Sequence, residues 1–247
     1  MSLSDERVQY EDRLADIFAG LGISSTGDIS TPRMSAVNYV KAKLNELVPE
    51  GEGVTFSLSS DTNITNPTDW LVNSQMDESV KNVCLQAPLS ALKPTAYTEA
   101  TEGTPFVAEG KAGYIALPDT FLRLSSFKMS DWVREIVVPI TPNDPLYKRQ
   151  SNEYMRGGIT KPVAVLNWKY ISSSMKRILE YYSIDTLHTI EKLFYIPEQL
   201  TEDFVTDNPS LEDAFAWQCA SKVLQIFDKA EPAKLAQERV QQIYNTI

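Results

Sequence analysis

Near the start of the chain, apolar residues recur at the three- and four-residue spacing that places side chains on one face of a helix. The two stripes are Tyr10, Leu14, Ile17 and Leu21, followed by Val37, Val40, Leu44 and Leu47. Glycines end the first stripe, and Thr31 and Pro32 precede the second as a cap and a first-turn proline. The pattern predicts an antiparallel helical hairpin over residues 1–50.

Residues 51–105 give a mixed pattern. Residues 54–59 read as a short strand, and the segment from Asp77 predicts a helix that is interrupted at Pro88. We interpret this region as a connection between the first helices and the segments that follow.

From residue 106 to residue 197, short apolar segments rich in β-branched and aromatic residues alternate with turn residues. The segments are GYIAL, FLRLSSFKM, REIVVPI, PVAVLNWKY, MKRILEYY and TIEKLFYIP. Strands in series without helices between them predict an antiparallel sheet, sandwich or small barrel. The last segment is apolar on both faces, which predicts that neither face is freely solvated.

One long connection, residues 141–161, interrupts the predicted strands. Connections of this length in compact domains are usually functional or disordered. We interpret it as an inter-subunit loop whose basic residues are Lys148, Arg149, Arg156 and Lys161.

Residues 198–247 read as an acidic loop followed by two helices. Six acids and no base lie between Glu198 and Asp213. In the next segment two adjacent apolar stripes are Trp217, Ala220, Leu224 and Phe227, and Phe215, Cys219, Val223 and Ile226. Stripes this wide predict a helix that is nearly surrounded. The whole pattern predicts an α+β fold, with a helical hairpin at each end and antiparallel strands between.

The final helix carries an apolar stripe that continues to Ile247. We predict that a partner molecule covers it, because an apolar end gains little from exposure to water. Packing within the chain itself is the alternative. The predicted docking residues are Leu235, Val240, Ile243, Tyr244 and Ile247.

The composition of the chain argues against several classes of function. A net charge of −10 argues against a protein that neutralises nucleic-acid phosphates. The polar, charged start predicts no signal peptide, and no apolar run approaches the length of a membrane span. Cys84 and Cys219 lack CxxC partners, which predicts buried thiols in a protein made in a reducing cytoplasm.

No catalytic pattern emerges from the sequence. The lone histidine, His188, is predicted to be a turn or packing residue. Histidine and cysteine never occur at metal-ligand spacing, and neither GxSxG nor a phosphate-binding loop is present. We therefore predict a protein that is not an enzyme and that has no catalytic, cofactor or metal site.

The order of three motifs along the chain gives a further indication of function. The first, residues 13–48, has an A…L…LNxL pattern in Ala36, Leu44, Asn45 and Leu47. The second has an LP-D-F-LRL pattern in Leu117, Pro118, Asp119, Phe121, Leu122 and Leu124. The third is alanine-rich and includes Ala214, Ala216, Ala220, Ser221, Val223, Leu224, Ala233, Leu235 and Ala236.

Together these stretches resemble the tailed-phage head–tail adaptor proteins, also called connector or ring proteins. The chain is long for that family and is similar in size to the larger ring proteins of short-tailed phages, including the crAss-like group. The resemblance implies a virion ring, commonly of twelve copies, at the head–tail junction. It also implies C-terminal helices that dock into the portal protein, and a lumen through which DNA passes.

Two alternatives remain open beside this resemblance. One is another virion component, such as a tail-completion or baseplate protein. The other, from a different class, is a β-sandwich carbohydrate-binding module or small enzyme with an aromatic cleft.

Overall fold

The computed structural model describes residues 31–47, 56, 67–98, 106–109, 111–150, 152, 158–171 and 173–247. Helices lie toward both ends of this described part and antiparallel strands lie in its middle, so the predicted α+β class is confirmed. The first predicted helix lies outside the described residues, as does the strand over 54–59 except for Phe56.

The elements are numbered here in chain order. The helices are α1 (Thr31–Leu47), α2 (Pro67–Gln86), α3 (Pro145–Gln150), α4 (Thr201–Asp207), α5 (Glu212–Ile226) and α6 (Ala230–Thr246). The strands are β1 (Thr95–Ala96), β2 (Phe106–Glu109), β3 (Ala112–Ala116), β4 (Phe121–Met129), β5 (Val165–Ile171), β6 (Ser174–Tyr182) and β7 (Ile190–Pro197).

These elements form two compact units. The helical unit comprises the described residues of 1–92 and 199–247, and the β unit comprises those of 93–198. The described residues of the predicted first segment and residues 199–247 of the last therefore belong to one unit, together with residues 67–92 of the predicted connecting region.

Helix α5 is the centre of the helical unit. It contacts α1, α2 and α6, and ten of its residues are buried, including Phe215, Trp217 and Cys219. This confirms the prediction of a nearly surrounded helix. Ile226 departs from the predicted stripe, since it is half-exposed at the last position of the helix.

Helix α2 begins ten residues earlier than predicted. The predicted start was Asp77, whereas the helix begins at Pro67. Buried Val72 and Met76 extend the stripe of Val80 back by two turns. The stripe was hidden because the first turn is polar. The predicted end is correct, since the helix stops at Gln86, ahead of Pro88.

The segment predicted as an acidic loop contains a helix, α4, so this prediction was wrong. Phe204 of α4 is fully buried, which holds the segment against the other helices. One acid of the segment is paired, because Arg33 of α1 forms an ion pair with Glu202 at 3.4 Å; the same guanidinium also pairs with Asp77 of α2 at 2.9 Å. Burial raises the pKa of Asp77, but hydrogen bonds from Arg33 and Thr201 outweigh it, so the net pKa is lowered.

A buried ion pair joins α1 to α2. The Lys41 ammonium donates a hydrogen bond to the Asp69 carboxylate, and the two side chains are 0% and 2% exposed. Buried Val37, Val40 and Leu44 surround the lysine along α1 and confirm the second predicted stripe. A charge in such surroundings is tolerated only with its partner in place.

The β unit contains two antiparallel sheets. One has the strand order β1-β7-β4 and the other has the order β2-β3-β6-β5. Both contribute to one core, in which Phe127 contacts Trp132 edge-on at 4.9 Å between ring centroids and Tyr181 at 5.8 Å. In β7, Leu193 and Ile196 are buried on opposite faces, as its two-sided apolar pattern predicted.

The segment REIVVPI is not a strand, which corrects the prediction. It forms only isolated bridges, from Ile136 to Phe127 and from Ile140 to Val165. Val137 and Val138 are both exposed, so no face of the segment is buried continuously. Pro139 also lacks the N–H group that a ladder requires.

We expect the Lys41–Asp69 pair to be needed as a pair. Lys41→Met should lower the free energy of unfolding by about 3–5 kcal/mol, because it leaves a buried carboxylate without a partner. Lys41→Met combined with Asp69→Leu should recover most of that loss. Urea denaturation of the wild type and the three variants measures both effects.

A matched surface change provides the control. Lys192→Ala breaks an exposed ion pair with Glu135 at 3.8 Å and should change stability by less than about 1 kcal/mol. A double variant as unstable as Lys41→Met alone would contradict the expectation.

Candidate interaction surfaces

Helix α6 presents two different faces. Ala233, Ala236 and Val240 are buried within the helical unit, whereas Leu235 is 50% exposed and Ile247 is 43% exposed. Val240, at 1% exposure, belongs to the core of this chain, which corrects its assignment as a docking residue. Leu235 and Ile247 remain accessible to a partner.

Ile243 lies at the edge between these faces. It lines a groove of about 460 Å³ together with Leu47, Trp217 and Arg239. The Trp217 ring is also contacted by the Lys43 ammonium, 5.0 Å from the ring centroid. The lining of the groove therefore combines apolar and charged side chains, a composition suited to a peptide or a helix end.

Tyr244 is only partly accessible. Burial, with a smaller contribution from Cys84, raises the pKa of its hydroxyl, so the phenol stays protonated at neutral pH. The hydroxyl oxygen is buried and has no hydrogen-bond partner among the described residues. Of the five predicted docking residues, Tyr244 and Ile243 thus occupy an intermediate position between the core and the surface.

A second groove beside α6 is polar. It measures about 740 Å³, and its lining is dominated by amides, among them Gln86, Gln218 and Gln241. Amides accept and donate hydrogen bonds but neither titrate nor attack a substrate under ordinary conditions. Lys234 and Glu238 also line the groove, whose amides are suited to binding a polar ligand by hydrogen bonds.

The predicted inter-subunit loop is in part helical. Its first half forms α3, whose start is supported by a 2.8 Å hydrogen bond from the Leu146 backbone to the Asp144 carboxylate. Lys148 and Lys161 are exposed. Arg156 and the side chain of Arg149 lie outside the described residues, so a grouping of the four bases stays a prediction.

The cysteines are structural in the helical unit. Cys84 and Cys219 are both buried and unbridged, as predicted. Burial raises the pKa of Cys219 to about 12, which leaves almost no thiolate at neutral pH. Its thiol donates to the Val72 carbonyl at 3.7 Å.

His188 is a packing residue in a turn, as predicted. It is 4% exposed, its backbone has φ +50°, and its Nδ1 lies 3.2 Å from the Tyr181 hydroxyl. Gly113 of the neighbouring strand leaves room for this contact, since a Cβ there would meet the Tyr181 ring at 2.7 Å and His188 Nδ1 at 3.1 Å. Across the described residues, no three metal-ligating side chains of His, Cys, Asp or Glu come together.

A surface that sequence reasoning missed lies on the β5–β6 hairpin. Trp168 and Tyr170 share one face of β5, and Tyr170 pairs in register with Met175 of β6. The three side chains, here named the hairpin patch, are 59%, 68% and 57% exposed. They extend the face on which Leu166 and Leu179 pack against the core, about 13 Å further toward the hairpin turn.

Arg177 borders the hairpin patch. It pairs in register with Trp168, and its guanidinium lies 5.9 Å from that ring's centroid. It also donates a 3.0 Å hydrogen bond to the Phe121 carbonyl. The base of the hairpin patch is thus held in place by the core, while its outer part is open.

The reverse face of the same hairpin carries two lysines in register. Lys169 lies directly opposite Lys176 across β5 and β6. Like charges in this position repel. Neither ammonium forms an ion pair with any described residue, although Lys169 lies 4.0 Å from the centroid of the Tyr114 ring.

Comparison with known proteins gives no family: no family model matches the chain, and no curated protein matches it. In the part of the chain that the structure describes, no helix is both long and apolar enough to cross a membrane.

Gly113→Ala should destabilise the β unit by about 1–3 kcal/mol, because the added methyl group forces Tyr181 out of a packed core. Ala112→Ser, at an exposed position of the same strand, should have little effect. Thermal unfolding of both variants measures the difference. Equal stabilities would show that Tyr181 and His188 move aside without loss.

The two faces of α6 should respond differently to truncation. Val240→Ala should lower the free energy of unfolding by about 1–3 kcal/mol by leaving a cavity, whereas Leu235→Ala should change it by less than about 0.5 kcal/mol. Chemical denaturation compares the two. Similar losses would mean that Leu235 also belongs to the core.

Proposed function

We propose that this chain is a structural virion subunit that assembles into a ring, an adaptor that joins the portal to the tail and leaves a channel for DNA. The observation that carries the proposal is the presence of exposed apolar side chains on both units: Leu235 and Ile247 on α6, and the hairpin patch on the β unit. A ring subunit needs at least two different contact surfaces, because each copy touches two neighbours through non-identical faces.

Helix α6 is the part that we assign to portal docking. Leu235 and Ile247 are exposed, while Ile243 lines the groove with Trp217. An apolar side chain of the portal protein that filled this groove would be removed from water, which favours association. The same helix is anchored to the unit by Val240, so its exposed face is presented on a fixed support.

The net charge supports the second part of the proposal. At −10, the chain carries ten more acids than bases. A lumen lined by such a protein repels the phosphate backbone, so DNA passes without being retained. This is the opposite of the basic surface that a DNA-binding protein uses.

The wild-type protein should form closed rings, alone or with the portal protein encoded with it. Mass photometry and negative-stain imaging measure ring formation, and co-sedimentation measures portal binding. A chain that stays monomeric at all concentrations and does not bind the portal protein would overturn the proposal.

Docking through α6 can be tested separately. Leu235→Asp combined with Ile247→Asp should leave the thermal midpoint unchanged and abolish co-sedimentation with portal. Gln237→Asp combined with Asn245→Asp is the matched control, since it adds the same two negative charges at exposed polar positions of the same helix. Equal loss of binding in the control would show that charge alone, and not the apolar contact, is responsible.

One observation favours a second candidate function. Two exposed aromatic rings two residues apart on a strand, Trp168 and Tyr170, resemble the stacking platform of a carbohydrate-binding module. If the chain is such a module, the monomer binds soluble glycans and Trp168→Ala abolishes the binding. Glycan arrays with the purified chain distinguish this function from ring assembly.

A further inference from the structure

We propose that the β5–β6 hairpin of one copy docks on the helical unit of a second copy, at the surface around Leu200. The inference rests on the proposed self-assembly and names the contact that produces it. The hairpin supplies an apolar face and a basic face, and the helical unit supplies an exposed apolar side chain among carboxylates.

The hairpin exposes a continuous apolar area. Trp168, Tyr170 and Met175 are each more than half exposed and lie on one continuous face. Contiguous exposed apolar residues on a soluble protein mark interaction sites, and aromatic residues and methionine are enriched in them. Because the base of the face is fixed by the core, docking requires little ordering of the backbone.

The reverse face of the hairpin is charged. Lys169 and Lys176 oppose each other without a described acid to pair with. Their mutual repulsion would be relieved by an acidic partner placed against the hairpin. Because the lysines lie on the face opposite the hairpin patch, a partner that relieves this repulsion would place an apolar surface against the rings and a carboxylate around the edge strand β5.

The charge of the chain itself identifies that partner. Among the described residues, the β unit holds twelve bases and nine acids, whereas the helical unit holds eight bases and twelve acids. The two units therefore carry net charges of opposite sign. A second copy offers a surface of complementary charge to the hairpin without any other protein being required.

Leu200 marks the receiving surface within the helical unit. At 59% exposure it is the most exposed large apolar residue among the described residues of that unit, and the exposed Asp203 follows it by three residues. No lysine or arginine occurs between Lys192 and Lys222. This surface therefore places an exposed leucine beside the exposed Asp203 carboxylate, while Arg33 of α1 is paired with the neighbouring Glu202.

A contact between two different surfaces of identical copies is heterologous, and it closes into a ring when the rotation per copy allows. It predicts a result that no symmetric contact gives. Trp168→Ser with Tyr170→Ser removes the donor surface, and Leu200→Lys removes the receiving surface. Each variant alone should be monomeric, whereas an equimolar mixture should form a dimer that contains one copy of each.

Mass photometry and analytical ultracentrifugation of the full chain measure these states, with circular dichroism to verify that each variant is folded. Leu187→Lys is the matched control, since it charges an exposed apolar residue of the β unit at the opposite end of β6. This control should assemble like the wild type.

Three outcomes would overturn the inference, and they separate it from the proposed function. If the wild type assembles and the hairpin variant does too, the ring stands and the hairpin contact falls. If both variants are monomeric but their mixture does not dimerise, the pairing with Leu200 is wrong. If the hairpin variant assembles normally and instead loses binding to glycans, the patch is a carbohydrate site.

Discussion

The helical unit depends on a charged side chain placed where an apolar one would be expected. Lys41 lies among Val37, Val40 and Leu44 on the inner face of α1, and Asp69 of α2 satisfies it. Only one register of the two helices brings these groups together, because a shift by one residue would rotate both away. The hydrophobic contacts of α1 and α2 with α5 allow many alignments, whereas the ion pair allows one. Arg33 forms ion pairs with residues of α2 and α4, and these pairs fix the position of the segment that leads into α5 in the same way.

The periodicity of the sequence was sufficient for helices whose buried faces are made of apolar residues. The double stripe of α5 predicted its burial, and the stripe around Val40 predicted the inner face of α1. It was insufficient where polar residues are buried, because Thr68 and Asp69 read as solvent-facing and concealed the start of α2. The start of α4 was concealed for a different reason, because Glu202 and the exposed Asp203 give its first turn the composition of a solvated loop.

The candidate surfaces show a second limit of prediction from the sequence. Leu235 and Val240 both fall in the apolar pattern of α6, and only the position of α5 decides that the second is buried and the first is not. The alternation of Leu166, Trp168 and Tyr170 is uniform along β5, yet only the first lies against the core. Whether a strand continues past the core that it packs on is a property of the whole unit. The local alternation of residues therefore does not predict where the buried part of a strand ends.

The hairpin has a consequence for the protein before it meets any partner. Beyond the bridge to Ile140, the outer edge of β5 has no strand beside it among the described residues, and open edges are where chains stack into aggregates. Lysines near such an edge act as gatekeepers, because stacking copies in register would bring their ammonium groups together. Lys169 and Lys176 would therefore keep newly made chains in solution while the cell accumulates them.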